Sequence, residues 1–467
     1  MTASQRAKVL ILGMDCMTPQ LVFEQWRDEL PTFKSLMEGG IWGRLNSTIP
    51  PITVPAWMCM ATSKNPGRLG FYGFRNRADY SYERMTIANS KAVTEDTVWD
   101  ILSRDARRVI LIGVPQTYPP KPVNGLVVSD FLTPSTKNRY TYPPELKAEV
   151  EEISGGYMLD VENFRTEDKD HLLQQIYLMT EKRIRVVKRL LTTREWDFAM
   201  WVEMGPDRIH HGFWKYFDPS HPKHQPGNPY ANAIKEYYQY LDREIGQILA
   251  LVPEETVVIV VSDHGAKRMV GGICINEWLR QEGYLTLREE PNGITPIEKV
   301  EIDWGRTKAW GAGGYYGRLF LNVAGREPQG TIPPADYERV REELTAKLEA
   351  ITDPQGRNIG TRVFTPEKAY GKGYKGIPPD LIIYFGDLDW RSVGSVGHGS
   401  AYTFENDLGP DDANHAQEGI FIMHNPRFKA RGEIKGLDIL DVAPTVLAIY
   451  GLPIPPDWEG KVIPGSG

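Results

Sequence analysis

The stretch Val257-Val258-Ile259-Val260-Val261-Ser262-Asp263-His264-Gly265 decides the fold class. Five consecutive β-branched residues leave no polar face, so a strand here must be covered on both sides, as in a mostly parallel sheet. The run then breaks into a carboxylate, an imidazole and a glycine. In open α/β sheets ligands bind beyond the carboxyl ends of the strands, and an Asp-His pair at such an end has few purely structural reasons to exist. Comparable apolar runs occur at 9–13, 109–113, 126–129, 198–202, 381–384 and 420–423. Amphipathic stretches at 167–193, 230–251, 335–350 and 437–450 separate them. The alternation predicts a doubly wound α/β layer.

The composition supports a folded core: 41% of the 467 residues are hydrophobic and 25% are charged. No run approaches the ~18 apolar residues of a membrane span. Met1 to Lys8 is polar, so no signal segment is expected. The net charge of −7 argues against a general nucleic-acid binder. Cys16, Cys59 and Cys274 are odd in number and far apart, and read as buried thiols of a cytoplasmic protein. Five segments are expected. Residues 1–114 form core, 115–165 a Pro/Tyr/Thr-rich insertion and 166–266 core again. Residues 267–412 form a cap, and 413–467 supply a last core strand and helix. The Pro/Gly-rich tail from Leu452 to Gly467 reads as a surface extension. The cap aromatics Trp304, Trp310, Tyr315, Tyr316 and Trp390 have two readings: contact with a base, lipid or glycosyl group, or packing of cap on core.

Four places carry candidate chemistry. Asp15 follows the strand 9–13 and is placed either as a metal ligand or as a turn or helix-cap residue. In Pro50-Pro51-Ile52-Thr53-Val54-Pro55 the last proline, Pro55, marks a helix start. Thr53 then lies at a helix mouth that attracts anions. It reads as a metal-activated nucleophile or an ordinary cap. Asp207 and His211 are four apart, so a helix puts them on one face. That pair suits a divalent ion with N/O ligands or a simple hydrogen bond. Asp263 and His264 form the fourth place. A seventh ligand is expected from the C-terminal third: His415, just before the strand 420–423, with His398 as the rival. His210 reads as a residue behind the ligands or solvated, His424 as packing or surface, and His171, His221 and His224 as solvated.

Taken in order, these motifs resemble the alkaline phosphatase superfamily. The similar branch is that of type I phosphodiesterase/nucleotide pyrophosphatase-like proteins, often described only as phosphohydrolases or phosphomutases. The resemblance runs from about Val9 to Gly460. It includes stretches without evident catalytic meaning: Ile275 to Leu279, Asn322 to Pro328 and Asp441 to Thr445. It implies an alkaline-phosphatase-like three-layer α/β/α core with a mostly parallel sheet and inserted cap regions. It also implies two divalent ions, usually zinc, with manganese or iron as alternatives. One ion would take Asp15, the nucleophile Thr53, Asp263 and His264. The other would take Asp207, His211 and a late histidine, for which His415 is favoured over His398. The family's phosphoryl-binding Asn, about twenty residues past the nucleophile, has Arg75, Asn76 and Arg77 as candidates here. The implied activity is hydrolysis of a small-molecule phosphodiester, pyrophosphate or related phosphoester through a phosphothreonine. No nucleic-acid or membrane partner is expected, and oligomeric state is left open. The rivals are a phosphonate hydrolase or phosphomutase of the same superfamily and a non-catalytic metal-binding relative. A sulfatase is disfavoured because Thr53 stands where Cys or Ser is required and Trp57 where Arg is.

Overall fold

The computed structural model describes residues 7–429 and 431–465; most of the polar start from Met1 to Lys8 lies outside them. The centre is a ten-stranded sheet. Its main strands are β1 (Val9–Met14), β2 (Ile41–Asn46), β3 (Val109–Ile112), β4 (Gly125–Val128), β5 (Phe198–Glu203), β6 (Val257–Val261) and β7 (Glu418–His424). They lie in the order β2-β7-β6-β1-β5-β3-β4. β1 is central, parallel to both β5 and β6, and β3 is parallel to β5 and β4. β7 runs antiparallel between β2 and β6.

Side-chain alternation divides each strand between two cores. Leu10, Leu12, Trp201, Val258 and Val260 face one layer. That layer is built from α1 (Pro31–Gly39), α3 (Lys169–Thr193), α4 (Gly205–Phe217) and α5 (Ala233–Leu249). Val9, Ile11, Met200, Val257 and Ile259 face the other, which contains α2 (Thr53–Thr62) and α6 (Val442–Ile449). At roughly 1.5–3 kcal/mol for each fully buried large aliphatic side chain, these two faces hold the three layers together. Among the described residues, no helix is long and apolar enough to cross a membrane.

Residues 273–401 contribute a third apolar core of their own. It surrounds a four-stranded antiparallel sheet in the order Ala309–Ala312, Gly317–Leu321, Leu381–Tyr384, Arg362–Phe364. The run 381–384, expected with the core strands, belongs here instead. Coverage by helices on an antiparallel sheet produces the same apolar signature. The segment 115–165 is likewise not wholly an insertion, since β4 and the edge strand Thr141–Tyr142 extend the central sheet. The tail is no loose extension either. Trp458 and Ile463 are buried, and Lys461 N–H donates to Asp441 Oδ1 (2.8 Å). Ile463 N–H donates to Thr445 Oγ1 (2.9 Å).

The three stretches without catalytic meaning act as staples. Asn276 donates to Gly311 O (2.9 Å) and Gly394 O (2.7 Å) and accepts from Gly311 N–H (2.8 Å). Asp441 and Thr445 hold the tail. Asn322, fully buried, donates to Trp304 O, Thr307 O and Gln329 O at 2.8–2.9 Å and accepts from Tyr82 OH (2.8 Å). Asn322→Ala strands these partners, at about 1–3 kcal/mol for each buried group left unsatisfied. Denaturant melts should therefore show a loss of about 2–4 kcal/mol; an unchanged midpoint and slope would contradict the staple.

Candidate active site

The strand ends bring six of the seven expected residues into one buried pocket, and a short ladder adds the seventh. Asp15 leaves β1, Asp263 and His264 leave β6, and Asp207 and His211 lie on α4 directly after β5. Thr53 opens α2; Val54 is still extended (φ −108°, ψ 110°), so Thr53 sits at the mouth of the helix before its regular turns. Immediately after His264, Gly265–Arg268 pairs antiparallel with Ala413–Ala416, setting Ala266 opposite His415. That register stacks the His415 ring on His264, with centroids 3.8 Å apart and planes at 18°. All seven residues are at most 4% exposed.

Each histidine is held in the same way. His415 Nδ1 meets Pro51 O at 2.8 Å, His264 Nδ1 meets Gly265 O at 3.1 Å, and His211 Nδ1 meets Asp411 Oδ1 at 2.7 Å. An oxygen acceptor at Nδ1 requires the proton there, which turns Nε2 toward the pocket. Metal-binding histidines are oriented by this arrangement. Inside the pocket, His264 Nε2 lies 3.4 Å from Thr53 Oγ1 and 3.2 Å from Asp263 Oδ2. Asp207 Oδ2 lies 3.0 Å from His211 Nε2 and 4.0 Å from His415 Nε2. The carboxylates are oriented as well. Trp57 Nε1–H donates to Asp15 Oδ2 (2.8 Å), and Cys16 N–H donates to Asp263 Oδ1 (3.1 Å). The indole reaches Asp15 because residue 13 is Gly; a Cβ there would lie 2.7 Å from the ring.

The electrostatics favour a cation. Burial, then Asp263 and Asp207, pushes the Asp15 carboxyl well above the usual range, and burial does the same to Asp263. Burial and the neighbouring His264 and His211 hold His415 well below the ordinary imidazole value. For His211 burial is outweighed by Asp411 and Asp207, which lift it to about 9. Within the seven residues, Asp15 Oδ1 and His415 Nε2 have no hydrogen-bond partner, and Asp263 Oδ2 and His211 Nε2 have only the close approaches of His264 (3.2 Å) and Asp207 (3.0 Å). Buried polar atoms are rarely left so, and these carboxylate oxygens and imidazole nitrogens are the donors a divalent ion takes. Among the described residues, two groups have their ligand atoms within 4.8 Å of one another: Asp15, Asp263 and His264, and Cys16, Asp207 and His211.

The remaining expectations divide. His398 stands in the cap region, bonded to Ser395 Oγ (2.8 Å), with its N–H on Glu277. Arg77 is used structurally, in a buried ion pair with Glu327 (3.0 Å). Asn76 closes its own turn, accepting from Tyr72 N–H (2.6 Å) and donating to Gly73 O (2.9 Å). Arg75 is exposed. None of the three touches the seven residues. His210 is not solvated but fully buried against Tyr238 OH (2.9 Å), and His221 is buried on Asp412 O (3.1 Å). Of the cap aromatics only Tyr315 reaches the pocket, stacking on His415 (4.1 Å) and His211 (4.7 Å). Trp304 instead stacks on Tyr82 at 3.6 Å, and Trp310 and Trp390 belong to the cap's own core. Sequence reasoning missed Asp411 and Arg208. Arg208 pairs with both Asp207 and Asp160. An Arg beside a candidate Asp was the only available signal.

No curated protein sequence matches the chain. Among solved structures, human ectonucleotide pyrophosphatase/phosphodiesterase 5 superposes with a TM-score of 0.58 at 12% identity, covering 97% of each chain. The murine protein, in an inactive form in complex with AMP, gives 0.56 at 12% identity, covering 97% of this chain and 96% of that one. Phosphonoacetate hydrolase from Sinorhizobium meliloti 1021, in complex with phosphonoformate, gives 0.61 at 16% identity, covering 94% of each. These likenesses establish the fold. The sequence profile of the type I phosphodiesterase / nucleotide pyrophosphatase family matches residues 9–411, and the chain belongs to that family.

Proposed function

We propose that this protein is a two-metal phosphohydrolase that cleaves a phosphodiester, pyrophosphate or related phosphoester through a phosphothreonine at Thr53. The observation that supports the reading is one buried hydroxyl, Thr53 Oγ1, 3.4 Å from His264 Nε2, beside two adjacent groups of buried carboxylate and imidazole ligand atoms. In this reading Asp15, Thr53, Asp263 and His264 hold one ion, and Asp207, His211 and His415 hold the other. Zinc suits the mixed imidazole and carboxylate donors best. Bound divalent ions would supply positive charge that lowers the pKa of the attacking hydroxyl and offsets charge on the phosphoryl oxygens.

The chain's own groups do the rest. Thr53 Oγ1 gives its proton to solvent and attacks phosphorus, forming the Oγ1–P bond as the bond to the leaving oxygen breaks, and the leaving group departs after taking a proton from solvent. Water then cleaves the Oγ1–P bond and returns the hydroxyl. The backbone at the start of α2 faces the anion at a helix N-terminus. Trp57 and Cys16 N–H hold the Asp15 and Asp263 carboxylates in place. The three free, buried cysteines fit a reducing, cytoplasmic setting. A second reading, a phosphonate hydrolase, draws on the fold shared with phosphonoacetate hydrolase. Release of phosphate from phosphonoacetate in preference to bis-p-nitrophenyl phosphate would favour it.

Two variants test the assignment. Thr53→Ala should lower turnover of bis-p-nitrophenyl phosphate and p-nitrophenyl phosphate by roughly 10³-fold or more; wild-type rates would exclude Thr53 as nucleophile. His415→Ala should cut both bound metal and activity, activity by at least about 100-fold. His398→Ala should leave both near wild type, and the reverse pattern would hand the ligand role to His398.

A further inference from the structure

Cys16 occupies a position that its backbone alone does not explain. Its φ of +63° lies in the left-handed region, where glycine is the residue without a steric penalty. The backbone task there is to aim the Cys16 N–H at Asp263 Oδ1, and glycine would perform it equally. The side chain is fully buried, and its thiol donates to Gly265 O (3.4 Å), a weak hydrogen bond that ion binding would replace. Cys16 Sγ, an Asp207 oxygen and a His211 nitrogen lie within 4.8 Å of one another. A second feature points to the same spot independently. His415 Nε2 is buried, has no hydrogen-bond partner and points at Asp207 Oδ2 4.0 Å away, on the same carboxylate oxygen that His211 Nε2 approaches to 3.0 Å.

We propose that Cys16 Sγ is a ligand of the ion held by Asp207, His211 and His415, giving that ion a sulfur, two nitrogen and one oxygen donors. This inference rests on the two-metal reading and adds to it a ligand outside the expected set. On binding, the thiol gives up its proton to solvent and the sulfur lone pair is donated to the ion; nothing is oxidised or reduced. A thiolate beside two imidazoles selects zinc or cobalt over magnesium, calcium or manganese. The two ion positions thereby differ in kind: hard oxygen donors and one imidazole around Asp15, a softer set around Asp207.

Cobalt(II) titration of the metal-free full chain tests this by absorption spectroscopy. Wild type should bind two equivalents and develop a thiolate-to-cobalt charge-transfer band in the near ultraviolet. Cys16→Gly, which relieves the left-handed backbone and should fold, should still bind cobalt but lose that band; Cys16→Ser is the second variant should glycine fail to fold. Cobalt bound by wild type without the band overturns the proposal and leaves the two-metal reading intact. A band that persists in Cys16→Gly overturns it equally, because the sulfur is then Cys59 or Cys274. Absence of any cobalt binding overturns both readings.

Discussion

Three carboxylates, those of Asp15, Asp207 and Asp263, are buried within one pocket, and the surrounding structure depends on how their charge is met. An uncompensated buried ion costs several kcal/mol. Arg208 answers only Asp207. Burial raises Asp15 and Asp263 well above the usual carboxyl range, and the group facing their inward oxygens is the single imidazole of His264, 3.2 Å from Asp263 Oδ2 and 3.9 Å from Asp15 Oδ1. Carboxyls held toward the neutral form by burial ionise readily once a cation is brought beside them, which is the chemistry the proposed function uses.

The architecture serves that end at each level. β1 lies between β5 and β6, so the three strand ends converge. The ladder after His264 delivers His415 from 150 residues downstream. Both added segments close over His211. Arg165 bonds Asp411 (3.1 Å) and Tyr315 OH (2.7 Å), Tyr315 OH bonds the same Asp411 (3.0 Å), and Asp411 holds the imidazole. Tyr315, through Asp411, is therefore coupled to the orientation of a candidate ligand.

Much of this was legible because it is local. β-branched runs mark strands, and an Asp-His pair beyond such a run marks a strand end, as at Asp263 and His264. The spacing of Asp207 and His211 needs only a helix. What could not be read depends on distant partners. Asp411 lies two hundred residues from His211, and no periodicity joins them. The run 381–384 looks like any buried strand, because coverage, not direction, sets its composition. The tail looks like a loop, since its anchors are backbone N–H groups received by Asp441 and Thr445. His210 and His221 read as polar because their partners, Tyr238 and a backbone carbonyl, come from elsewhere in the fold. Arg75, Asn76 and Arg77 are candidates only through the resemblance and its distance past the nucleophile, and the hairpin that carries them, 75–77 paired with 85–87, sends Arg77 to Glu327 in the cap.

The most direct test of the central claim is anomalous X-ray scattering from crystals of the zinc-loaded protein, collected on both sides of the zinc edge. The account predicts two peaks roughly 3.5–4 Å apart, one among Asp15, Asp263 and His264 with Thr53 beside it, the other among Asp207, His211 and His415. A pocket without anomalous density, or a single peak elsewhere in the molecule, would contradict it.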